Sequence, residues 1–215
     1  MAALPEAEKR AVRNKKKAEQ ARVSTTDAEA SVMKMPDGGF RPAYNTQLAG
    51  ETEHGLIVGL DVVTTGAAQP SLEPMVEQVK ERTGQTPGSW LVDGGFFNRD
   101  TTARLDAEGI ALYCPPHKPK GDRAPGEAMD TDTPAVAALR ARMASEAGKA
   151  VYRQRARWIE WVNAGFRQRE WRQVPVRGLA KVRILVRWRA LTHNMTRIMR
   201  TPELIAAFPG RPRLA

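Results

Sequence analysis

Residues 55–113 read GLIVGLDVVTTGAAQPSLEPMVEQVKERTGQTPGSWLVDGGFFNRDTTARLDAEGIALY, and this stretch decides the fold class. Gly55 to Val63 is apolar and β-branched, the composition of a buried strand or of a pair of short ones. Gly66 to Pro70 breaks it. Ser71 stands where a helix cap belongs. Leu72, Met75, Val76 and Val79 follow at i, i+3, i+4 and i+7, which is one helix face. Gly84 and Pro87 end that helix. Ser89 to Val92 is a short apolar strand running into Asp93-Gly94-Gly95. Asp100 to Ala107 fits a second helix with Gly109 just past its end, and Ile110 to Tyr113 a further strand. Strand, helix, strand, helix, strand predicts an α/β fold whose sheet has parallel members.

Working outward, Tyr44 to Ala49 alternates as a strand does. Ser24 to Arg41 reads as irregular, with Asp37-Gly38-Gly39 as a turn. Residues 1–23 form a basic arm, helical or unstructured. Downstream, Pro115 to Pro134 is a long proline-rich loop, the kind that is often functional. Ala135–Ala147 and Ala150–Arg167 read as helices, and Trp171–Arg177 as an extended segment. Leu179 to Arg200 is the longest helix, with Val182, Leu185, Val186, Met195 and Met199 among its apolar positions. Residues 201–215, with Pro202, Pro209 and Pro212, read as a frayed tail.

The chain has 215 residues, a formal charge of +10 and 41% hydrophobic residues, which excludes a wholly disordered polymer. Its one cysteine, Cys114, excludes an intramolecular disulfide framework and a four-cysteine zinc site. No apolar run approaches the ~18 residues that span a bilayer. Met1 to Gln20 lacks the apolar core of a signal peptide, so a cytoplasmic protein is expected. The charge is uneven. Residues 151–215 hold fifteen Lys and Arg against three acids, while the rest hold 19 against 21. That asymmetry favours a polyanionic partner, since neutralised phosphates release counterions. The plainer alternative is an arginine-rich solvated surface.

Three acids stand out. Glu51 follows the first strand. Asp93 ends a central strand, where α/β sheets place their sites. Glu160 lies on the arginine-rich helix. At ~100° per residue from Tyr152, Glu160 falls near 80°, among Arg153, Arg157, Asn163 and Arg167. Trp158, Val162, Phe166 and Ile159 fall in a separate arc at roughly 240° to 340°. One carboxylate within a basic stripe suits a divalent metal flanked by phosphates. The commoner alternative is an intrahelical ion pair, Glu160 with Arg157 or Asn163 beside it.

Several stretches resemble the bacterial insertion-sequence transposases of the DDE class. They are Ser24-Thr25-Thr26-Asp27, Met33 through Asn45, Leu91-Val92-Asp93-Gly94-Gly95-Phe96, and Val176-Arg177-Gly178-Leu179-Ala180-Lys181-Val182. The resemblance runs from about Ser24 to Arg200. It implies an RNase H-like mixed sheet flanked by helices, with the proline-rich loop inserted and a long C-terminal helix. Residues 24–200 would be the catalytic domain. Family members carry a longer N-terminal region, so the chain reads as N-terminally truncated.

The resemblance also implies metal-dependent cleavage of DNA at the element's ends and joining of the freed 3′-hydroxyl to a target. The partners would be double-stranded DNA and further copies in a homo-oligomer, with no membrane. The protein would be cytoplasmic and associated with a bacterial nucleoid. By the family's pattern Glu51, Asp93 and Glu160 would hold Mg²⁺ or Mn²⁺ in a two-metal site, with Tyr152 and Arg155 ahead of the last acid. The family's first acid is aspartate, and here it is Glu51. Glutamate reaches one methylene further, and a ~1 Å misplacement can cost about 10²-fold in rate. The alternative is a catalytically impaired DNA-binding remnant. The basic stripe expected on phosphates is Arg153, Arg155, Arg157, Arg167, Arg177 and Lys181.

Other residues read more plainly. Cys114 is expected as a buried thiol and His117 as an exposed imidazole. His193-Asn194 is expected to make packing or polar contacts. Gly55 and Gly59 lack the Lys-Ser/Thr of a phosphate loop. Trp158, Trp161, Trp171 and Trp188 beside arginines suit core edges better than base stacking.

Overall fold

The computed structural model describes residues 24–35, 37–117, 124, 126–167 and 174–206, with the backbone alone at 161 and 163–167. The expected arm, residues 171–173 of the expected extended segment, and the tail beyond 206 lie outside these residues. Residues 174–177 are described and form no strand.

The chain opens with a hairpin where an irregular segment was expected. Ser31–Lys34 (β1) pairs antiparallel with Phe40–Ala43 (β2). The glycine-rich turn closes it, Gly39 C=O accepting from Met35 N–H at 2.8 Å. Asn45–Gly50 (β3) and Ile57–Val63 (β4) form a second antiparallel pair, from Asn45↔Val63 to a register shift at Ala49/Gly50. Leu72–Thr83 (α1) follows, and its four anticipated core positions, Leu72, Met75, Val76 and Val79, are all buried. Ser71 does not cap it through its side chain. A 3-10 turn over Gln69–Ser71 already leads into the helix, so Ser71 has helical rather than extended torsions. Gly84 ends α1 with φ 67°, donating its N–H to Lys80 C=O.

Ser89–Leu91 (β5) and Ala111–Tyr113 (β6) pair in parallel. Arg99–Ala107 (α2) is the crossover that a parallel pair requires. Its cap is Asn98, whose side chain accepts from Asp100 and Thr101 N–H. Glu73, Glu77, Lys80, Arg104 and Glu108 form an ion-pair network that ties α1 to α2. Glu108 is held below the usual carboxylate range, chiefly by its bond from Lys80.

Pro134–Ala144 (α3) and Glu146–Arg167 (α4) meet at Ser145 rather than near Gly148-Lys149. Ser145 takes an extended ψ of 150°, and its Oγ accepts Gly148 N–H at 3.0 Å, so one residue ends one helix and caps the next. Leu179–Arg200 (α5) has the bounds read from its periodicity. A short helix, Pro202–Ala206 (α6), occupies the start of the expected frayed tail.

The architecture is mixed α/β. The single mixed sheet that was expected is, among the described residues, three separate two-stranded ladders. Side chains occupy backbone groups on β4 that a further strand would need. Asn194 bonds Ile57 N–H and C=O, Gln78 accepts from Leu60 N–H, and Arg183 donates to Val62 C=O. On the other side, a cavity of about 250 Å³ is lined by residues of both β3 and β5.

Two cores result. One gathers Leu72, Val76, Leu105, Ile110, Leu112, Val136 and Leu139 around β5–β6. The other gathers Ile57, Leu60, Val62, Val162, Val182 and Val186 where α5 meets β4. α1 also packs on β4, and Gly59 permits the approach. A Cβ there would stand 2.6 Å from Met75 Sδ and 3.0 Å from Val79 Cγ2.

Candidate functional site

Asp93 follows β5 with extended torsions and caps the 3-10 turn Gly94–Phe96. Its Oδ1 accepts Gly95 N–H at 3.0 Å. A side chain at either glycine would be crowded. A Cβ on Gly94 would lie 3.1 Å from Pro115 C=O, and one on Gly95 3.1 Å from Asp93 Oδ1. Asp93 Oδ2 faces Arg155 of α4, with Nη2 at 3.3 Å. The Arg155 guanidinium also lies 5.8 Å from the Tyr152 ring centre. Burial pushes the Tyr152 hydroxyl up from its ordinary value. Asp93 C=O accepts from the Cys114 thiol at 3.2 Å. Cys114 is buried as expected, and burial, with the Asp93 charge, pushes its thiol up to about 12. His117 is exposed as expected, its ring edge-on to Phe97.

Glu51 stands at the end of the β3–β4 unit and lines the cavity beside Arg155. Its carboxylate is engaged by its own loop. Oε1 accepts from His54 and Leu56 N–H at 2.9 and 2.8 Å, and Oε2 from Glu53 N–H at 2.7 Å. The longer glutamate arm thus reaches around the turn that joins the two strands. Glu160 is exposed. The α4 residues that line the cavity are Arg155, Trp158, Ile159 and Val162, and Glu160 lies roughly 150° around the helix from their mean direction.

The structure therefore brings Asp93 to Arg155 and Arg155 to the cavity that Glu51 lines, and turns Glu160 away. Among the described residues, no group of three His, Cys, Asp or Glu side chains is arranged to hold a metal ion. In this arrangement the donor set does not fit the two-metal site that the resemblance implies. Both Glu51 oxygens serve backbone N–H groups, and Asp93 is shared between a turn and a guanidinium.

The basic stripe divides as well. Arg153 and Arg157 are exposed on α4, with the Arg157 guanidinium 5.6 Å from the Trp158 ring centre. Arg155 is turned inward onto Asp93. Arg177 and Lys181 are exposed at the start of α5. The Arg167 side chain lies outside the described residues.

That helix start has a further feature, which short-range reading missed. α5 has no cap from its own N-cap residue, Gly178, whose φ is 87°. Asp27 and Glu29 supply the acceptors instead. Asp27 Oδ2 takes Gly178 N–H at 3.0 Å, and Glu29 Oε2 takes Leu179 N–H at 2.8 Å. Two carboxylates at a helix N-terminus also meet the positive end of its dipole. Tyr44 donates its hydroxyl to the same Asp27 oxygen at 2.8 Å. The Gly178 N–H leads in holding Asp27 below the usual carboxylate range. Burial, with the Asp27 bond, pushes Tyr44 up to about 12. Ser24–Asp27, Tyr44 and Val176–Leu179, quoted above for the resemblance, thus form one joint.

Residues 127–199 match the family model described as the transposase DDE domain, roughly a third of the chain. Over this stretch the chain is similar to that domain. The match takes in α3, α4 and nearly all of α5, and so includes Arg155 and Glu160, while Glu51 and Asp93 lie before it. No curated protein matches the chain, and no solved structure does. Among the described residues no helix is long and apolar enough to cross a membrane.

Proposed function

We propose that this chain acts in DNA transposition as the DNA-handling part of a DDE transposase, holding duplex phosphates on the outer face of α4 and the start of α5. The observation that carries this reading is the exposure of Arg153, Arg157, Arg177 and Lys181, next to the family match over the same helices. Such contacts position DNA and carry no sequence information of their own. The affinity they supply falls steeply with salt. Fluorescence anisotropy of a labelled duplex, repeated across salt concentrations, tests it. A linear fall of log affinity with log salt is expected. Binding insensitive to salt would overturn it.

A second reading has Asp93 in its favour, a carboxylate half-exposed at the end of a strand. It is metal-dependent phosphodiester cleavage and strand transfer at insertion-element ends, with Glu51, Asp93 and Glu160 as ligands of Mg²⁺ or Mn²⁺, and it requires Glu51 to leave its turn and Glu160 to swing toward Asp93 from the arrangement described above. Nicking of the element's own end DNA, by the natural chain beside Glu51→Asp, separates the two. Nicking by either protein supports the second reading. Salt-sensitive binding without nicking by either leaves the first standing alone. The bacterial nucleoid would be the place of action under both readings.

A further inference from the structure

The start of α5 breaks the local rules of helix initiation. Its N-cap residue, Gly178, has no side chain to cap with, and its first turn contains no acid. Lys181 in that turn sets a cation against the positive end of the helix dipole. The leading N–H groups have no partner within the helix. Two acids from far upstream make good the fault. Asp27 and Glu29 accept from Gly178 and Leu179 N–H across 151 and 150 positions. A Cβ on Gly178 would stand 3.0 Å from Glu29 Oε2, so the glycine that withholds a cap also makes room for the borrowed one. Sequences tend to break local rules where function asks for it.

We infer that Asp27 and Glu29 are positioning residues for DNA binding, which hold the first turn of α5 so that Arg177 and Lys181 meet the duplex together. The inference rests on the DNA reading proposed above. Both cations are exposed and flank the capped turn: Arg177 precedes Gly178, and Lys181 follows Leu179 and Ala180 in α5. Val182 N–H closes the first bond of the helix on Gly178 C=O at 3.1 Å, so Lys181 is placed only while that turn is closed. The strap that supplies the acids is itself fixed. Asp27 N–H donates to Ser24 Oγ at 3.1 Å, Glu29 N–H to Asp27 Oδ1 at 3.3 Å, and the Tyr44 hydroxyl to Asp27 Oδ2 at 2.8 Å.

Charge alone predicts the opposite effect. The Gly178 N–H leads in holding Asp27 below the usual carboxylate range, and the Arg177 charge adds to it, so acid and cation stand within reach of each other. An acid beside a phosphate-binding cation repels the duplex. Were Asp27 and Glu29 only charges, deleting either would tighten DNA binding. As positioning residues they act the other way, because without the acceptor the act of binding must order a loose turn. Glu29 separates the two cases cleanly. It is exposed and accepts from a single α5 N–H. Glutamine there keeps the acceptor and loses the charge, whereas alanine loses both.

Fluorescence anisotropy of a labelled duplex with the full chain, at one fixed salt concentration, tests it. Glu29→Ala should weaken binding roughly fivefold, the fold-change of a lost helix cap. Glu29→Gln should bind about as tightly as the natural chain. In a chain already carrying Arg177→Ala and Lys181→Ala, Glu29→Ala should have no further effect, because it acts through those two side chains. Equal affinities of the alanine and glutamine variants would overturn the proposal. So would tighter binding by Glu29→Ala, or a loss that persists without Arg177 and Lys181. Each of these results leaves the DNA reading standing, since the natural chain still binds. A natural chain without salt-sensitive binding overturns both. Amide hydrogen exchange of the natural chain without DNA adds a second check. An unprotected Leu179 N–H would overturn the proposal even if Glu29→Ala failed to fold.

Discussion

Two aspartates beside the β5–β6 ladder face arginines, Asp132 meeting Arg140 and, at 3.6 Å, Arg99, and Asp93 meeting Arg155. Asp132 and Arg140 are 0% and 3% exposed, with Nε 2.6 Å from Oδ2. Asp93 and Arg155 are 52% and 26% exposed, at 3.3 Å. The buried pair is wired into backbone: Met129 N–H donates to Asp132, and Arg140 donates to His117 C=O. Asp132 Oδ1 and Arg140 Nη2 still find no hydrogen-bond partner among the described residues. The half-exposed pair has solvent on one side and a cavity on the other. Seclusion, not residue type, separates an ion pair that locks a loop onto a helix from one that a charged ligand can compete for.

The largest expected effect tests that contrast directly. Arg140→Ala leaves the solvent-free Asp132 carboxylate with only the longer contact to Arg99, and should cost about 3 kcal/mol in urea denaturation. Arg155→Ala should cost less than about 1 kcal/mol, as exposed pairs do. Equal losses would break the comparison.

Acid sharpens it. Burial alone would raise Asp132, yet the Arg140 bond and the Met129 N–H hold it below its ordinary value. Asp27 is held low as well, chiefly by Gly178 N–H. A carboxyl depressed in the folded state contributes stability above its unfolded value, near ~3.9, and loses it as pH falls through the folded value. The melting temperature should therefore hold down to about pH 4 and then drop. Asp27→Asn should melt lower at neutral pH and show a shallower acid limb in thermal scans.

The smallest effect belongs to DNA. Arg153→Ala and Arg157→Ala should each lower the slope of log affinity against log salt by about 1. Arg155→Ala should lower that slope by less, because Asp93 already neutralises much of its charge. A slope change for Arg155 matching the other two would return it to the phosphate-binding stripe.

Much of the fold is written locally. The i, i+3, i+4, i+7 spacing of Leu72 to Val79 becomes the buried face of α1, and the periodicity from Leu179 to Arg200 sets the bounds of α5. The Asp-Gly-Gly signal becomes a capped turn at a strand end. The β1–β2 hairpin was not legible, because its strands are mostly exposed and show no apolar alternation. Met195 and Met199, two of the apolar positions of α5, lie outside the core. Periodicity reveals an apolar face without saying which of two apolar faces the body of the protein covers.

At the site, the sequence by itself determined the acids, the basic C-terminal third and the family resemblance. Tertiary structure alone decided which carboxylate meets which partner. Glu51 is drawn into its own turn, Asp93 to a residue 62 positions away, and Asp27 to a helix start 151 positions away. Local signals arise from torsions and side-chain periodicity within a few residues. Long-range partners are set by which surfaces close on one another, and only the packed chain settles that.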